Sequence, residues 1–587
     1  MNIEIYPTKR YVFDSNVHVS TKFRPLGQFN SSNEWVPEPG PIGIRTGNYT
    51  TVTESIDYRP EHKHLLDAIS ERVRLSANLD EPVPSSYAEA KKSPKWPLWR
   101  EACNAELAVL DEVDTYSMLP RTNSINVSSL AEWEFSIEDD GTYRAKLVAR
   151  IPQNIDGTSY HLNSRPMQRN NLFRLFFAIS AQYQLPVTQM KFNSGYFNQA
   201  INEYLYVTTP PGLFVSGQKI DNHVLKLKRM LTGFVRAPVG QAQQIAKALR
   251  TQGFFQVSSG VPLFHRGANQ NFVLIGVFDE DLLIATSNEA KLDNVRNKLI
   301  AQFKMRMLLT PRKINGINII FSNNVTKLHL GDYIDSLLRD YNMENCTPQK
   351  IPVGDIDLNI DRTKPEESCT IDEYRSLVAK LAYAAATVRF DIDHIVRELV
   401  RYLETPKQKH WQAAKNVVRY LKGTKLEGLT YRSSGTTPKV EGYASAKCGE
   451  KIRDLYQASL VKYSGSPIFW RTRFGEEYNE SSHSHAIRYA TTQVLWTVDT
   501  LKDLGFRTDC NVYGDDRQAV LDERLDLPQR KANYFAKGRK RARGNEKSNG
   551  SSEPAISIYE MKPMPARILT ERLPHSSFSY YYSLFQV

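Results

Sequence analysis

Phe272-Val273-Leu274-Ile275-Gly276-Val277-Phe278-Asp279-Glu280-Asp281-Leu282-Leu283-Ile284-Ala285 is a pair of short apolar runs closed around three consecutive acids. Runs of this length on either side of a tight polar turn predict a β-hairpin. Alternation along an extended chain puts Asp279 and Asp281 on one side and Glu280 on the other. A second stretch, Gln189-Met190-Lys191-Phe192-Asn193-Ser194-Gly195-Tyr196-Phe197, carries a lysine beside apolar neighbours. These two stretches decide how the rest of the chain is read.

Around them lie 587 residues, enough for several domains and large cores. Hydrophobic residues make up 41% and charged residues 24%, which is ordinary for a globular protein. No apolar run approaches the ~18 residues that span a bilayer. The start, Met1-Asn2-Ile3-Glu4-Ile5-Tyr6, lacks a basic-then-apolar leader pattern. The expected location is therefore cytoplasmic or nuclear. Cys103, Cys346, Cys369, Cys448 and Cys510 are scattered and show no C-x-x-C spacing, so they read as isolated reduced thiols. The formal charge of +12 favours polyanions, of which nucleic acid is the commonest.

The chain divides by composition. Residues 1–85 are rich in Asn, Ser, Thr, Pro and Gly and read as an extended or disordered arm, with a short helix through His62 to Leu75. Trp99, Ala102, Leu107 and Leu110 mark an amphipathic helix. Strand-like runs follow at Trp133–Ile137 and Tyr143–Ala149, then a helix over Leu172–Ala181. Residues 330–425 read as mainly helical, and strands return from 438 to 520. The basic run Lys537–Arg543 and the Ser- and Gly-rich Ser548–Ser552 make 536–587 read as a flexible tail. The basic run is a candidate nuclear import signal or nucleic-acid clamp, and equally a solvated tail.

Several motifs in order give these segments a family. The two opening stretches resemble the metal-site motifs Q-M-D-V-K-T-A-F-L and Y-V-D-D-L-L-I-A of copia-type LTR-retrotransposon reverse transcriptases. Trp99, Ala102 and Glu106 resemble the family's W-x-x-A-x-x-x-E. Arg144-Ala145-Lys146-Leu147-Val148-Ala149-Arg150 resembles K-A-R-L-V-A-R. Glu203-Tyr204-Leu205-Tyr206 with Pro210-Pro211-Gly212 resembles E-x-I-Y-M…P-P-G. Tyr374-Arg375-Ser376-Leu377-Val378, Arg389-Phe390-Asp391-Ile392 and Arg419-Tyr420-Leu421-Lys422-Gly423-Thr424 form long, specific blocks. The likeness covers about 90–535. It implies a mixed α+β chain: a right-hand polymerase fold of fingers, palm and thumb, followed by a ribonuclease H-like α/β domain. The boundaries read as fingers and palm over 86–330, thumb or connection over 331–435, and ribonuclease H over 436–535.

The resemblance also implies Mg²⁺. Polymerases place two divalent ions about 3.5–4 Å apart on the attacking and leaving oxygens, and Mg²⁺ takes carboxylate oxygen. The family supplies three Asp. This chain has Lys191, Glu280 and Asp281 at those positions, so one of three negative charges has become positive. An ammonium has no lone pair to give and repels the ion. Glu280 keeps its charge but carries one extra methylene, which displaces its oxygens. The acidic turn reads alternatively as a solvated hairpin tip. Arg144, Lys146 and Arg150 resemble the finger cations that face phosphate, and read alternatively as a solvated basic strand. Arg236 stands where the family has Gln before Ala-Pro, at the expected nucleotide pocket.

The ribonuclease H positions have changed too. Tyr443-Ala444-Ser445-Ala446-Lys447-Cys448-Gly449-Glu450 stands against Y-S-D-A-D-W-A-G-D, so Ser445 replaces the first catalytic Asp. Ser482-His483-Ser484-His485-Ala486 stands against S-S-T-E-A, so His485 takes the place of the catalytic Glu. Asp515-Asp516-Arg517-Gln518-Ala519 resembles D-N-Q-S-A and keeps Asp515. Glu280, Asp281 and Asp515 are the remaining metal-ligand candidates, with Mg²⁺ not bound productively. His483 and His485 invite zinc, but their i, i+2 spacing suits a strand and lacks cysteine support.

The leading expectation is a reverse transcriptase–ribonuclease H homologue without activity, either a transposon remnant or a domesticated nucleic-acid binder. The alternatives are an active polymerase with altered ligands and a non-catalytic binder of RNA or RNA–DNA hybrid. RNA, DNA or their hybrid are the expected partners, and no membrane.

Overall fold

The computed structural model describes residues 27–29, 35–37 and 83–585, less 123–124, 126, 128, 138–140, 151–166, 193–199, 216–217, 220–221, 230, 232–236, 258–260, 269–270, 279–280, 304, 309, 355, 360–366, 448–454, 476–481 and 543–555. The arm's proposed helix over 62–75, Glu280, Arg236 and Cys448 therefore lie outside the described residues. The chain forms two compact units. One comprises 1–166 with 192–248, the other 167–191 with 249–587.

In the first unit, the helix Trp96–Glu112 starts with Pro97, whose missing N–H is harmless in a first turn. Trp99, Cys103, Leu107 and Leu110 recur along one stripe and are buried. They meet the inner face of the antiparallel pair Leu130–Ile137 and Tyr143–Arg150. The Trp99 ring sits edge-on to Phe135 at 5.3 Å and to Tyr143 at 4.4 Å. Glu106 is buried in the same stripe and accepts the backbone N–H of Leu147 at 3.3 Å. The second sheet orders Tyr116–Pro120, His223–Arg229 and Ala200–Thr208, all antiparallel. Trp133 donates its indole N–H to the Pro211 carbonyl at 3.0 Å. Gly212 has φ +84°, and the Tyr87 hydroxyl fills the space a Cβ would need. The Trp, Glu and Pro-Pro-Gly motifs are thus packing devices.

In the second unit, a six-stranded sheet runs Phe255–Gln256, Leu263–Arg266, Val273–Phe278, Asp281–Ala285, Val187–Phe192, Met305–Leu308. Every residue of Val273–Phe278 and Asp281–Ala285 is buried. The helix Met167–Gln182 covers this sheet through Phe173 and Phe176, which meet Phe278 at 5.2 and 5.9 Å. Its Arg174 is fully buried and donates to the carbonyls of Ile468, Ala386 and Thr387, with its guanidinium 3.7 Å from the Trp470 ring centre. Burial pulls its pKa down to about 9.

The helices Ile371–Thr387, Asp393–Val400 and Gln408–Gly423 come next, as the periodicity predicts. Between them, Arg389 grips Asp391 from Nε at 3.0 Å and Nη2 at 2.7 Å. Tyr420 donates to the same carboxylate at 2.6 Å, and Thr424 Oγ1 accepts from Arg389 at 2.7 Å. The two long motif blocks meet in this one buried network, and it holds the fold.

The last sheet orders Ser466–Gly475, Leu455–Tyr463, Lys439–Lys447, Asp509–Gly514, Ile556–Glu560. The first three strands are antiparallel, and the last two join in parallel. The helix Ser482–Asp503 lies against it. Gly442 and Gly514 permit the close approach, since a Cβ there would meet Val494 at 2.8 Å and Ile487 at 2.6 Å.

The reading of 536–587 as a flexible tail is corrected here. Backbone to Ala542 continues the helix Arg517–Ala542, and Ile556–Glu560 is the fifth strand of the sheet. Beyond it the helix His575–Ser583 packs inward. Phe585 meets Phe390 at 4.9 Å, and the buried Lys462 donates to the Leu584 carbonyl at 2.5 Å. Aromatic burial holds this segment in place, and composition alone hides it behind the Ser- and Gly-rich run. Among the described residues no helix is long and apolar enough to cross a membrane.

Candidate functional site

The register of the six-stranded sheet brings the two opening stretches together. Asp281 pairs with Lys191, Leu282 with Met190 and Leu283 with Gln189. Directly opposed residues point to the same face, with Cβ atoms about 4.5–5.5 Å apart. Lys191 is half-buried and Asp281 is 5% exposed. Gln189 lies on that face, two residues before Lys191. It donates from Nε2 to Asp281 Oδ1 at 2.7 Å. The hairpin strands close with Phe278 opposite Asp281.

The described part of this centre is therefore an ammonium across from a carboxylate whose second neighbour is an amide donor. At 4 Å and an effective dielectric of 20, two unit charges interact by about 4 kcal/mol. A cation across the ladder therefore opposes the attraction that should draw a dication to Asp281. These residues do not fit a pair of Mg²⁺ ions.

Arg144 and Lys146 sit on the strand Tyr143–Arg150, on the face opposite buried Ala145 and Leu147. Lys146 pairs across the ladder with Glu134, and Arg144 with Ser136. The basic stripe is therefore partly matched by an acid on its own hairpin, which the strand's sequence read alone conceals. Arg150 lies on the same strand.

At the other candidate centre, Asp515 follows the strand Asp509–Gly514. Ser445 donates to its Oδ2 at 2.6 Å, and His483 Nδ1 lies 2.8 Å from its Oδ1. Nδ1 therefore carries the proton. Burial alone would lower the His483 pKa, but the hydrogen bond and charge of Asp515, with Asp516 nearby, outweigh it and raise the value. Of the two histidines, the structure brings His483, and not the expected His485, to Asp515; His485 is exposed. Both lie in the helix Ser482–Asp503 and not on a strand, so two residues carry His485 about 200° round the axis.

Two further participants, Arg567 and Glu571, escaped sequence reasoning. Lys447 lies two residues beyond Ser445 on the same strand, and its ammonium pairs with Glu571. Arg567 donates from Nε to the same carboxylate at 2.5 Å. Burial would raise the Glu571 pKa, yet Arg567 and Lys447 hold it below the usual range. Both Arg567 and Glu571 lie in the segment taken for a tail. Among the described residues no three His, Cys, Asp or Glu side chains are grouped to hold a metal.

A family model described as reverse transcriptase (RNA-dependent DNA polymerase) matches residues 121–355. The retrovirus-related Pol polyprotein from transposon TNT 1-94 of Nicotiana tabacum is 26% identical over 465 residues, covering 76% of this chain and 34% of that protein. The corresponding polyprotein from transposon RE1 of Arabidopsis thaliana is 26% identical over 439 residues, covering 73% of this chain and 29% of that protein. The chain spans about a third of the length of these relatives. A foamy viral protease-reverse transcriptase solved in complex with dsDNA aligns over 86% of this chain and 94% of that chain, at 14% identity and a TM-score of 0.37. Over residues 121–355 the chain is thus similar to reverse transcriptases, and over about three quarters of its length it is similar to the retrovirus-related Pol polyproteins of plant transposons.

Proposed function

We propose that this chain is a reverse transcriptase–ribonuclease H homologue that binds nucleic acid and carries out neither nucleotide addition nor hybrid cleavage. The observation that carries this reading is Lys191 across the ladder from Asp281. A site that must gather two dications loses most of its attraction when one carboxylate becomes an ammonium. Ser445 and His483 around Asp515 support the same conclusion for cleavage. Binding to RNA, DNA or their hybrid rests on the +12 charge and on the family. It needs only phosphate contacts, which require no metal.

Primer extension on a primed RNA template, with Mg²⁺ or Mn²⁺, tests the catalytic half. The natural chain should extend nothing, and Lys191→Asp with Glu280→Asp together should restore extension. Extension by the natural chain above a Lys191→Ala control would end the proposal. Binding should weaken with added salt, with a log–log slope near −0.9 for each duplex phosphate neutralised. Salt-independent affinity would reject the phosphate reading.

A further inference from the structure

A metal held by side chains from separate elements is a cross-link as well as a reagent, because its binding energy adds to folding. The place where the family brings Mg²⁺ to the ribonuclease H sheet is made here from other parts. Ser445 comes from the strand Lys439–Lys447, His483 from the first turn of the helix Ser482–Asp503, and Asp515 from the end of the strand Asp509–Gly514. Both carboxylate oxygens of Asp515 accept a protein hydrogen, one from each partner. A cation entering here would have to displace a hydroxyl and strip a proton from an imidazole. In return it would gain one carboxylate and two neutral donors, where Mg²⁺ favours anionic oxygen.

The surroundings reinforce the exclusion. Lys447 lies on the same strand face as Ser445 and is tied to Glu571, which Arg567 also holds. Asp516, the nearest other acid, accepts the Ala519 backbone N–H at 2.8 Å and so serves the start of the next helix.

We propose that the Ser445–Asp515–His483 group replaces the metal ion as the cross-link of this sheet. It joins two strands and a helix through charge-assisted hydrogen bonds and leaves the fold indifferent to divalent cations. A carboxylate held by donors from two sides makes short, strong hydrogen bonds. Their loss leaves a part-buried charge short of partners. This cross-link is read by melting and metal binding, whereas the loss of polymerase chemistry is read by primer extension, so either can fail alone.

The test uses the full chain, melted by circular dichroism with excess Mg²⁺ and again with EDTA. The melting temperature of the natural chain should be the same in both. Ser445→Ala and His483→Ala should each lower it by roughly 2–8 °C, equally in both media. Where a variant does not fold, Mn²⁺ titration followed by electron paramagnetic resonance decides, comparing the natural chain with Asp515→Asn. The two should bind the same number of ions. Stabilisation of the natural chain by Mg²⁺, a Mn²⁺ site lost in Asp515→Asn, or unchanged melting of both alanine variants would each overturn the proposal.

Discussion

Replacing Asp391 by alanine should be among the most damaging single changes to the larger unit. Asp391 takes two bonds from Arg389 and one from Tyr420, and both charged side chains are essentially inaccessible, at 0% and 1%. Burial alone would depress the Arg389 pKa, but Asp391 outweighs it and holds the guanidinium charged far above any working pH. Asp391→Ala therefore leaves a full positive charge in the interior. Breaking a buried pair this way costs about 3–5 kcal/mol. The stranded Tyr420 hydroxyl adds about 1–3 kcal/mol, and shared partners make the sum an upper bound. Against a typical stability of ~5–15 kcal/mol, that is a large fraction. Urea unfolding followed by circular dichroism should show the midpoint collapse. Arg389→Met with Asp391→Leu should recover much of the loss, because no charge is then abandoned. A cost below about 1 kcal/mol for Asp391→Ala would refute the assignment of these motif blocks to structure.

Trp99→Ala should destabilise the smaller unit by about 3–5 kcal/mol, since it removes a fully buried ring packed on Phe135 and Tyr143. Limited proteolysis with new cuts confined to residues 86–166 and 192–248 would report it, and unchanged resistance would count against the packing described. Lys462 is buried under Tyr443 and Phe585, and burial brings its pKa down to about 8, with Glu441 only partly opposing. A lysine depressed in the folded state binds fewer protons there than in the unfolded chain. Stability should therefore rise between pH 8 and the ordinary lysine pKa of about 10.4, and fall as pH drops through 8. Lys462→Met should abolish that rise in a pH series of urea midpoints, and a slope identical to the natural chain would refute it.

Much of this architecture was legible because it rests on short-range pattern. The apolar runs about Asp279–Asp281 announce two strands, and both are wholly buried. The stripe of Trp99, Leu107 and Leu110 announces the helix that carries them. What stayed hidden depends on distant partners. Ile556 and Ile558 alternate correctly, but two apolar residues among Ser, Tyr and Glu carry little signal until the strand Asp509–Gly514 is seen beside them. The contest between His483 and His485 turned on helical phase, which spacing can express only once the element is known to be a helix. Glu571 was invisible for the same reason: its partners Lys447 and Arg567 make sense of it only in space.

The pattern of change across the chain has a physical logic if metal chemistry has been lost. Clustered carboxylates repel one another, so without a dication each is a standing cost. Substituting Lys191 opposite Asp281, or Ser445 and His483 around Asp515, turns that repulsion into attraction or hydrogen bonding. In a chain without metal chemistry, such changes would remove a repulsion and leave the scaffold intact. The interior offers no such exchange. Removing Asp391 strands Arg389, and removing the Trp470 ring or the carbonyl cage strands Arg174, each with a penalty that no nearby group repays. Metal-dependent centres can therefore drift one residue at a time while buried ion networks cannot, and a chain that has lost catalysis would keep the scaffold motifs longest.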